Sequence, residues 1–433
     1  MPNVMGAGRP TRRCAALLAA LLLALVPLGA GVPGTAAARP APAADAAWTA
    51  PALPAPTGAL PVGVRTAYLR DTSRRDPWNP GRYRELALSL WYPALPSRAP
   101  RAAYVTARES ALILRFHQVE GVPADLLGRI RVHARTAPPP LPAPARGLPL
   151  VLLSPGFALP RSSLTGLAEE LASRGYAVAA VDHAYEAPAI SHPDGRVTGC
   201  LACRRHPDGA RVAATRAEDL RFVRERLLAS PGAVGLPRLD PSRVAAVGHS
   251  MGGAGAFEAL RTDAGFAAAA NLDGTVHTGG RSPVDRPFLL LGAGEHGRPG
   301  ADPTWQRAWR DLTGPRRWLS VRGAGHLSFT DYARLLERTG TAGEEVTLGA
   351  ADAGRITREL VVAFLDERLR RYGPRLDTAA RQSPEVLSHG RRAARGKTDR
   401  YRMEKRSQYL DRGRQGPRPA QSLQPDAPGR NAT

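Results

Sequence analysis

Residues 244–253 read Val-Ala-Ala-Val-Gly-His-Ser-Met-Gly-Gly, and this stretch decides the fold. Val244 to Val247 is an apolar run, Gly248 and Gly252 stand two positions to either side of Ser250, and 252–261 continues with helical spacing. A serine between a buried strand and a helix takes a strained backbone, tolerable only where the residues two positions away lack side chains. The turn lifts the Ser250 hydroxyl above the sheet. It also aims the helix N-terminus, with its free N–H groups and positive dipole end, at any developing anion. Ser250 is the expected nucleophile, in an elbow made by Gly248 and Gly252, and the Met251 N–H is one expected oxyanion donor.

The same alternation extends outward on both sides. Upstream, Leu86 to Tyr92 predicts a strand ended by Pro93, and 107–133 predicts helix before a proline-rich break. Leu148 to Leu153 and Tyr176 to Val181 predict buried strands, with helices at 163–174 and 210–229. Downstream, strands are expected at Ala267 to Leu272, Pro287 to Leu291 and 317–321, with helices at 303–312 and around 353–371. Fully apolar strands alternating with helices imply an α/β fold: one domain with a mostly parallel, doubly wound sheet and helices on both faces.

A serine hydroxyl needs a base within hydrogen-bond reach. On a strand–turn–helix nucleophile the base belongs late in the chain, after the last strand. His326, in Gly323-Ala324-Gly325-His326-Leu327, stands there; His183 and His192 precede Ser250, and His389 falls in the terminal region. Asp273 ends the run Ala267 to Leu272 and is the preferred acid, with Glu295 and Asp302, after the next strand, as alternatives. Its role would be to hold the imidazole tautomer and stabilise the imidazolium. The second oxyanion donor is expected from Ser154-Pro155-Gly156-Phe157, at the Phe157 N–H.

The chain has 433 residues, 43% hydrophobic and 23% charged, enough for a sizeable core. Its net charge of +22 invites a nucleic-acid reading, but only Lys397 and Lys405 among the 60 basic residues are lysine. An arginine surplus with no groove-like pattern does not make nucleic acid an expected partner. Arg9, Arg12 and Arg13 precede an apolar run from Cys14 to Leu28, and Ala36-Ala37-Ala38 offers a cleavage site before Arg39. Residues 1–38 therefore read as a signal peptide and the protein as secreted. Residues 39–60 read as a Pro/Ala-rich linker, 61–373 as the catalytic domain, and 374–433 as a basic, disordered tail. Cys200 and Cys203 read as a disulfide in an exported protein. The competing reading has them join His192 and His206 around a metal ion, at a spacing that matches no common zinc module.

Gly248–Gly253, Ser154–Phe157, Leu272-Asp273-Gly274 and Gly325-His326 together resemble the α/β-hydrolase superfamily. Within it the chain resembles the platelet-activating-factor acetylhydrolase and secreted bacterial lipase branch, over most of 60–372. Asp76-Pro77-Trp78-Asn79-Pro80 and Leu90-Trp91-Tyr92-Pro93 belong to that likeness. The resemblance implies Ser250, Asp273 and His326 as a triad, Phe157 and Met251 as oxyanion donors, and no metal or organic cofactor. It implies a serine ester hydrolase acting on lipid or other small esters through an acyl-enzyme. The cutinase and polyester-hydrolase group shares Gly-His-Ser-Met-Gly-Gly, but carries its acid in a Gly-Ala-Glu-x-Asp pattern. This chain reads Gly292-Ala293-Gly294-Glu295-His296, with histidine at the aligned place. A reading of another class is a non-catalytic protein of this fold whose basic tail makes weak contact with an anionic surface. Residues 107–133 are expected to contribute a cap over the site.

Overall fold

The computed structural model of the protein describes residues 51–277, 283–341, 343 and 346–390. In chain order the strands are β1 (Val62–Arg75), β2 (Tyr83–Pro93), β3 (Arg101–Ala103), β4 (Arg131–Thr136), β5 (Leu148–Ser154), β6 (Ala177–Asp182), β7 (Ile190–Ser191), β8 (Val197–Thr198), β9 (Leu239–His249), β10 (Ala268–Leu272), β11 (Phe288–Ala293), β12 (Arg316–Val321) and β13 (Val386–His389). The helices are α1 (Ala107–Phe116), α2 (Thr165–Ser173), α3 (Gly209–Ala229), α4 (Met251–Thr262), α5 (Pro303–Asp311), α6 (Tyr332–Thr339), α7 (Ala350–Leu369) and α8 (Arg375–Gln382).

Strands β5, β6, β10 and β11 are buried at every position, as strands covered on both faces must be. They lie in one sheet of order β13-β12-β11-β10-β9-β5-β6-β2-β1-β4-β3, parallel from β12 to β6. Strand β2 runs antiparallel to β6, and β1 antiparallel to β2. Because side chains alternate across a strand, the two faces feed separate cores. Val151, Leu153, Val178, Ala180 and Val247 pack with α2 and α7. Leu150, Leu152, Ala179, Val181 and Val244 pack with α3 and α4. This is the doubly wound α/β arrangement expected from the alternating pattern.

Several boundaries differ from expectation. The helix expected over 107–133 ends at Phe116, and the chain re-enters the sheet at Arg131 as β4. Leu126 and Leu127, in a short 3₁₀ turn between, join Ile113 and Leu114 of α1 in a satellite core that also includes Leu159 and, partly buried, Leu327. These elements thus pack beside the loops that carry Phe157 and His326. Residues 51–60 are not a loose linker: Leu53 N–H donates to the Arg131 carbonyl (2.9 Å), and the Thr57 hydroxyl donates to Glu170 (2.6 Å). Nor does disorder begin at 374. Leu376 of α8 is buried, and β13 pairs antiparallel with β12 from Val321↔Val386 to Trp318↔His389. The expected signal peptide and the tail from 391 lie outside the described residues.

Candidate active site

Ser250 sits between β9 and α4 with φ 54° and ψ −124°, a left-handed backbone that ordinary residues avoid. The neighbours make it possible. A Cβ on Gly248 would stand 2.1 Å from the Gly252 carbonyl, and one on Gly252 would stand 2.0 Å from the Ser154 carbonyl oxygen. The elbow therefore closes only with glycine at both positions. The Ser250 side chain does not cap α4, and Gly253 N–H and Ala254 N–H are satisfied by the Ser250 carbonyl. Met251, at the first helical position, has no intrahelical acceptor for its N–H by the geometry of a helix start.

Strand β10 runs beside β9, and Ser250 N–H donates to the Leu272 carbonyl (2.8 Å). The residue after Leu272 is Asp273, buried and also at positive φ (57°). Its Oδ2 accepts from His326 Nδ1 at 2.7 Å. His326 follows β12, with its side chain half exposed. Its own carbonyl is held by His249 Nε2 (2.9 Å), and the two rings lie 4.6 Å apart. Burial pushes the His249 ring down to about 3, so it stays neutral and donates that hydrogen bond. The structure thus brings Asp273 to His326 at the sheet edge that carries Ser250. Of the alternative acids, Glu295 points outward and pairs with Arg298 (2.9 Å). Asp302 reaches His296 instead of His326.

His296 is the residue that reasoning from sequence missed. Its Nδ1 lies 2.8 Å from Asp273 Oδ1, an oxygen that also accepts from Ala293 N–H at 2.7 Å; its Nε2 lies 3.0 Å from Asp302 Oδ2. Burial alone would raise the Asp273 carboxyl, but hydrogen bonds from His296 and His326 hold it at about 2. Burial opposes charge on His296 too, yet its two carboxylate partners raise it to about 10. A usable signal was its position three residues past the end of β11, on the edge that presents Asp273 and His326.

On the other side of Ser250, Phe157 lies in the loop after β5. That loop is gripped from beneath. Arg216 of α3 donates to the Pro155 carbonyl and, at 3.5 Å, to the Gly156 carbonyl, while its Nε pairs with Glu186 (2.8 Å). Glu186 in turn accepts from Trp78 Nε1 (2.9 Å) and pairs with Arg84 (3.1 Å). Phe157 and Met251 both pack, partly buried, against Trp78, Tyr185 and Cys200, with Leu201 and Cys203. Cys200 and Cys203 are joined as a disulfide, and His192 Nε2 faces Thr198 Oγ1 at 3.1 Å. The disulfide loop therefore forms a wall beside the two expected oxyanion donors.

A serine elbow at the carboxyl edge of a doubly wound parallel sheet, facing an Asp–His pair, defines the α/β-hydrolases. Comparison with known proteins narrows the class. Residues 237–378, which span Ser250, Asp273 and His326, match the family model of platelet-activating factor acetylhydrolase, isoform II. A probable 1-alkyl-2-acetylglycerophosphocholine esterase from Arthroderma benhamiae is 27% identical over 337 residues, covering 70% of this chain and 84% of that protein. A ferulic acid esterase from Streptomyces cinnamoneus, of known structure, is 43% identical with a TM-score of 0.71. That match covers 78% of this chain and 99% of the esterase. The chain belongs to the platelet-activating-factor acetylhydrolase-like branch of the α/β-hydrolases, and it is a carboxylic ester hydrolase.

Proposed function

We propose that the protein is an exported serine esterase that works through an acyl-enzyme. The observation that carries this reading is Ser250, strained in its elbow, on the strand next to the one that ends at the Asp273–His326 pair. In the proposed cycle the Ser250 oxygen attacks the ester carbonyl while His326 Nε2 takes the hydroxyl proton. The N–H groups of Phe157 and Met251 hold the oxyanion. Collapse of the tetrahedral intermediate breaks the bond to the alcohol, which leaves with the proton from His326. Water then repeats the sequence on the acyl-enzyme and frees the acid and Ser250. Asp273 keeps the imidazole in the tautomer that can do both.

The substrate proposed is a lipid-like ester with a short acyl group, in line with the acetyl ester named for the fungal relative. A second reading, a bulkier aromatic acyl group, is favoured by the wall of Phe157, Trp78, Tyr185 and Leu201 beside the donors and by the activity named for the Streptomyces relative. Export is supported by the arginine-led apolar N-terminus and by the disulfide. The basic tail would then meet an anionic surface outside the cell.

One experiment tests the core of this. Hydrolysis of p-nitrophenyl esters from C2 to C16 and of methyl ferulate is measured for the protein and for Ser250→Ala. Turnover that peaks at C2 and falls at least about 10⁴-fold in the variant fits the first reading. A preference for methyl ferulate favours the second, a long-chain optimum indicates a lipase, and turnover that survives in Ser250→Ala refutes the serine mechanism.

A further inference from the structure

We infer that His296 is a second partner of the catalytic acid, a positioning residue that holds Asp273 by its Oδ1 and so fixes how Oδ2 serves His326. This rests on the serine reading above and deepens it.

The geometry is a linear chain of four groups: His326, Asp273, His296 and Asp302, with contacts of 2.7, 2.8 and 3.0 Å. Asp273 is buried and offers two oxygens, and each takes an imidazole. A carboxylate held at one oxygen only can rotate about its Cβ–Cγ bond. Here Ala293 N–H and His296 fix Oδ1, so Oδ2 points at His326 without freedom to turn. His296 is fixed in turn by Asp302, which caps α5 by accepting from Thr304 N–H (2.7 Å). The Trp305 ring stands edge-on at 5.4 Å.

Among the described residues, charged and titratable groups meet His296 from several elements. Asp273 comes from the end of β10, Asp302 from the start of α5, His326 from the turn after β12, and His277 from the segment after β10, close enough to feel Asp302. On its own loop Glu295 and Arg298 neutralise each other at the surface. Two carboxylates therefore bracket one imidazole, which favours its protonated form, as the upward shift to about 10 reflects.

A fixed positive charge on Oδ1 shares the negative charge of Asp273, so less of it remains to hold a proton on His326. The mechanism in which Asp273 serves His326 alone does not use this group.

The test is the pH dependence of kcat/KM from pH 5 to 10 for the full chain and its variants, with p-nitrophenyl acetate. His296→Asn keeps an N–H near the Nδ1 position and removes the charge. Its acid limb should move up by about one pH unit, with plateau kcat within about threefold of the parent. His296→Leu removes the donor as well, and kcat should fall about 10- to 100-fold with little change in KM. Proton NMR gives a readout independent of turnover: the two carboxylate-bonded imidazole N–H resonances of His296 are lost in His296→Asn, while that of His326 remains. If the His296 variants do not fold, Asp302→Asn leaves both imidazoles in place and removes only the negative charge behind His296, so the limb should move by less and in the opposite direction, down. An unmoved acid limb in a folded variant, or a loss carried wholly by KM, overturns the inference. Ser250→Ala is measured alongside. Turnover there would sink the serine reading itself, whereas a dead Ser250→Ala with an unmoved limb sinks only the role of His296.

Discussion

Among the described residues a buried Ser–His–Asp series stands apart from the proposed set of Ser250, His326 and Asp273, and the two differ in burial and in partners. Ser154 Oγ lies 2.9 Å from His183 Nε2, and His183 Nδ1 lies 2.8 Å from Asp219. All three are buried. Asp219 also pairs with Arg84 at 2.6 Å and with Arg74 at 2.9 Å, which hold its carboxyl far below the usual range against the cost of burial. Burial, with Arg216 nearby, lowers His183. In the other arrangement His326 is half exposed, and Ser250 sits strained at a helix start where N–H groups converge. Hydrogen-bond order alone does not make a catalytic site. Guanidinium partners, which keep their protons at any working pH, lock the first set as a foundation under the loop of Pro155 and Gly156. Imidazole partners leave the second set able to exchange protons.

The largest effect that sharpens this contrast comes from paired serine substitutions. Ser250→Ala should lower kcat on p-nitrophenyl acetate by about 10⁴-fold or more. Ser154→Ala should keep kcat within about fivefold and cost about 1–2 kcal/mol in urea unfolding, the loss of a buried hydrogen bond. A dead Ser154→Ala with unchanged stability would reverse the assignment of the two sets.

Next in size is the link between the foundation and the loop. Arg216→Met leaves Glu186 with one fewer partner and frees the Pro155 and Gly156 carbonyls. Breaking such a buried pair costs about 3–5 kcal/mol, and a displaced Phe157 N–H should lower kcat about 10- to 100-fold with KM little changed. If unfolding midpoints shift and kcat does not, the grip of Arg216 is structural only.

The third test separates the two sets by pH. His296 is raised to about 10 in the fold, against about 6.5 for a free imidazole. Its stabilising share is full below pH 6.5 and is lost as pH rises through 10. The stability gap between the protein and His296→Asn should therefore be widest near pH 6 and close by about pH 10.5. A gap that is constant with pH would show that His296 is held by packing and not by charge.

The smallest effect concerns the wall. The Cys200–Cys203 bridge closes a loop of very few residues, so its reduction releases little chain entropy. Loss of kcat/KM under dithiothreitol should stay within a few-fold and fall on the bulkier acyl groups first. An equal loss across the ester series would place the disulfide away from the acyl pocket.

The legible parts were those where one physical constraint admits one residue type. The elbow was readable because its close approaches exclude any side chain at 248 and 252, and Asp273 because it ends a run that is apolar but for Asn271. His296 was not, since its meaning depends on Asp302 six residues on folding back to bracket it. The arrangement of Arg84, Glu186 and Arg216 was hidden because its members come from β2, the loop after β6, and α3. Strand β1 was passed over because Arg70 to Arg75 is polar throughout and the apolar alternation before it is broken at Gly63 and Thr66. Helix α8 and β13 were read as tail because polar residues outnumber the few apolar anchors, such as Leu376.

Those last elements have a consequence for how the protein can be cut. Strand β13 lies along β12 and, through His389 Nε2 and Ser320 Oγ at 2.7 Å, is fastened to it by a side chain as well. Without residues 375–389, the outermost parallel strand would present its bare backbone to any other chain, the usual template for strand-to-strand aggregation. A truncation meant to shed the basic tail is safest just after Gly390. Ended at 373 instead, the same enzyme is expected to be recovered as a precipitate.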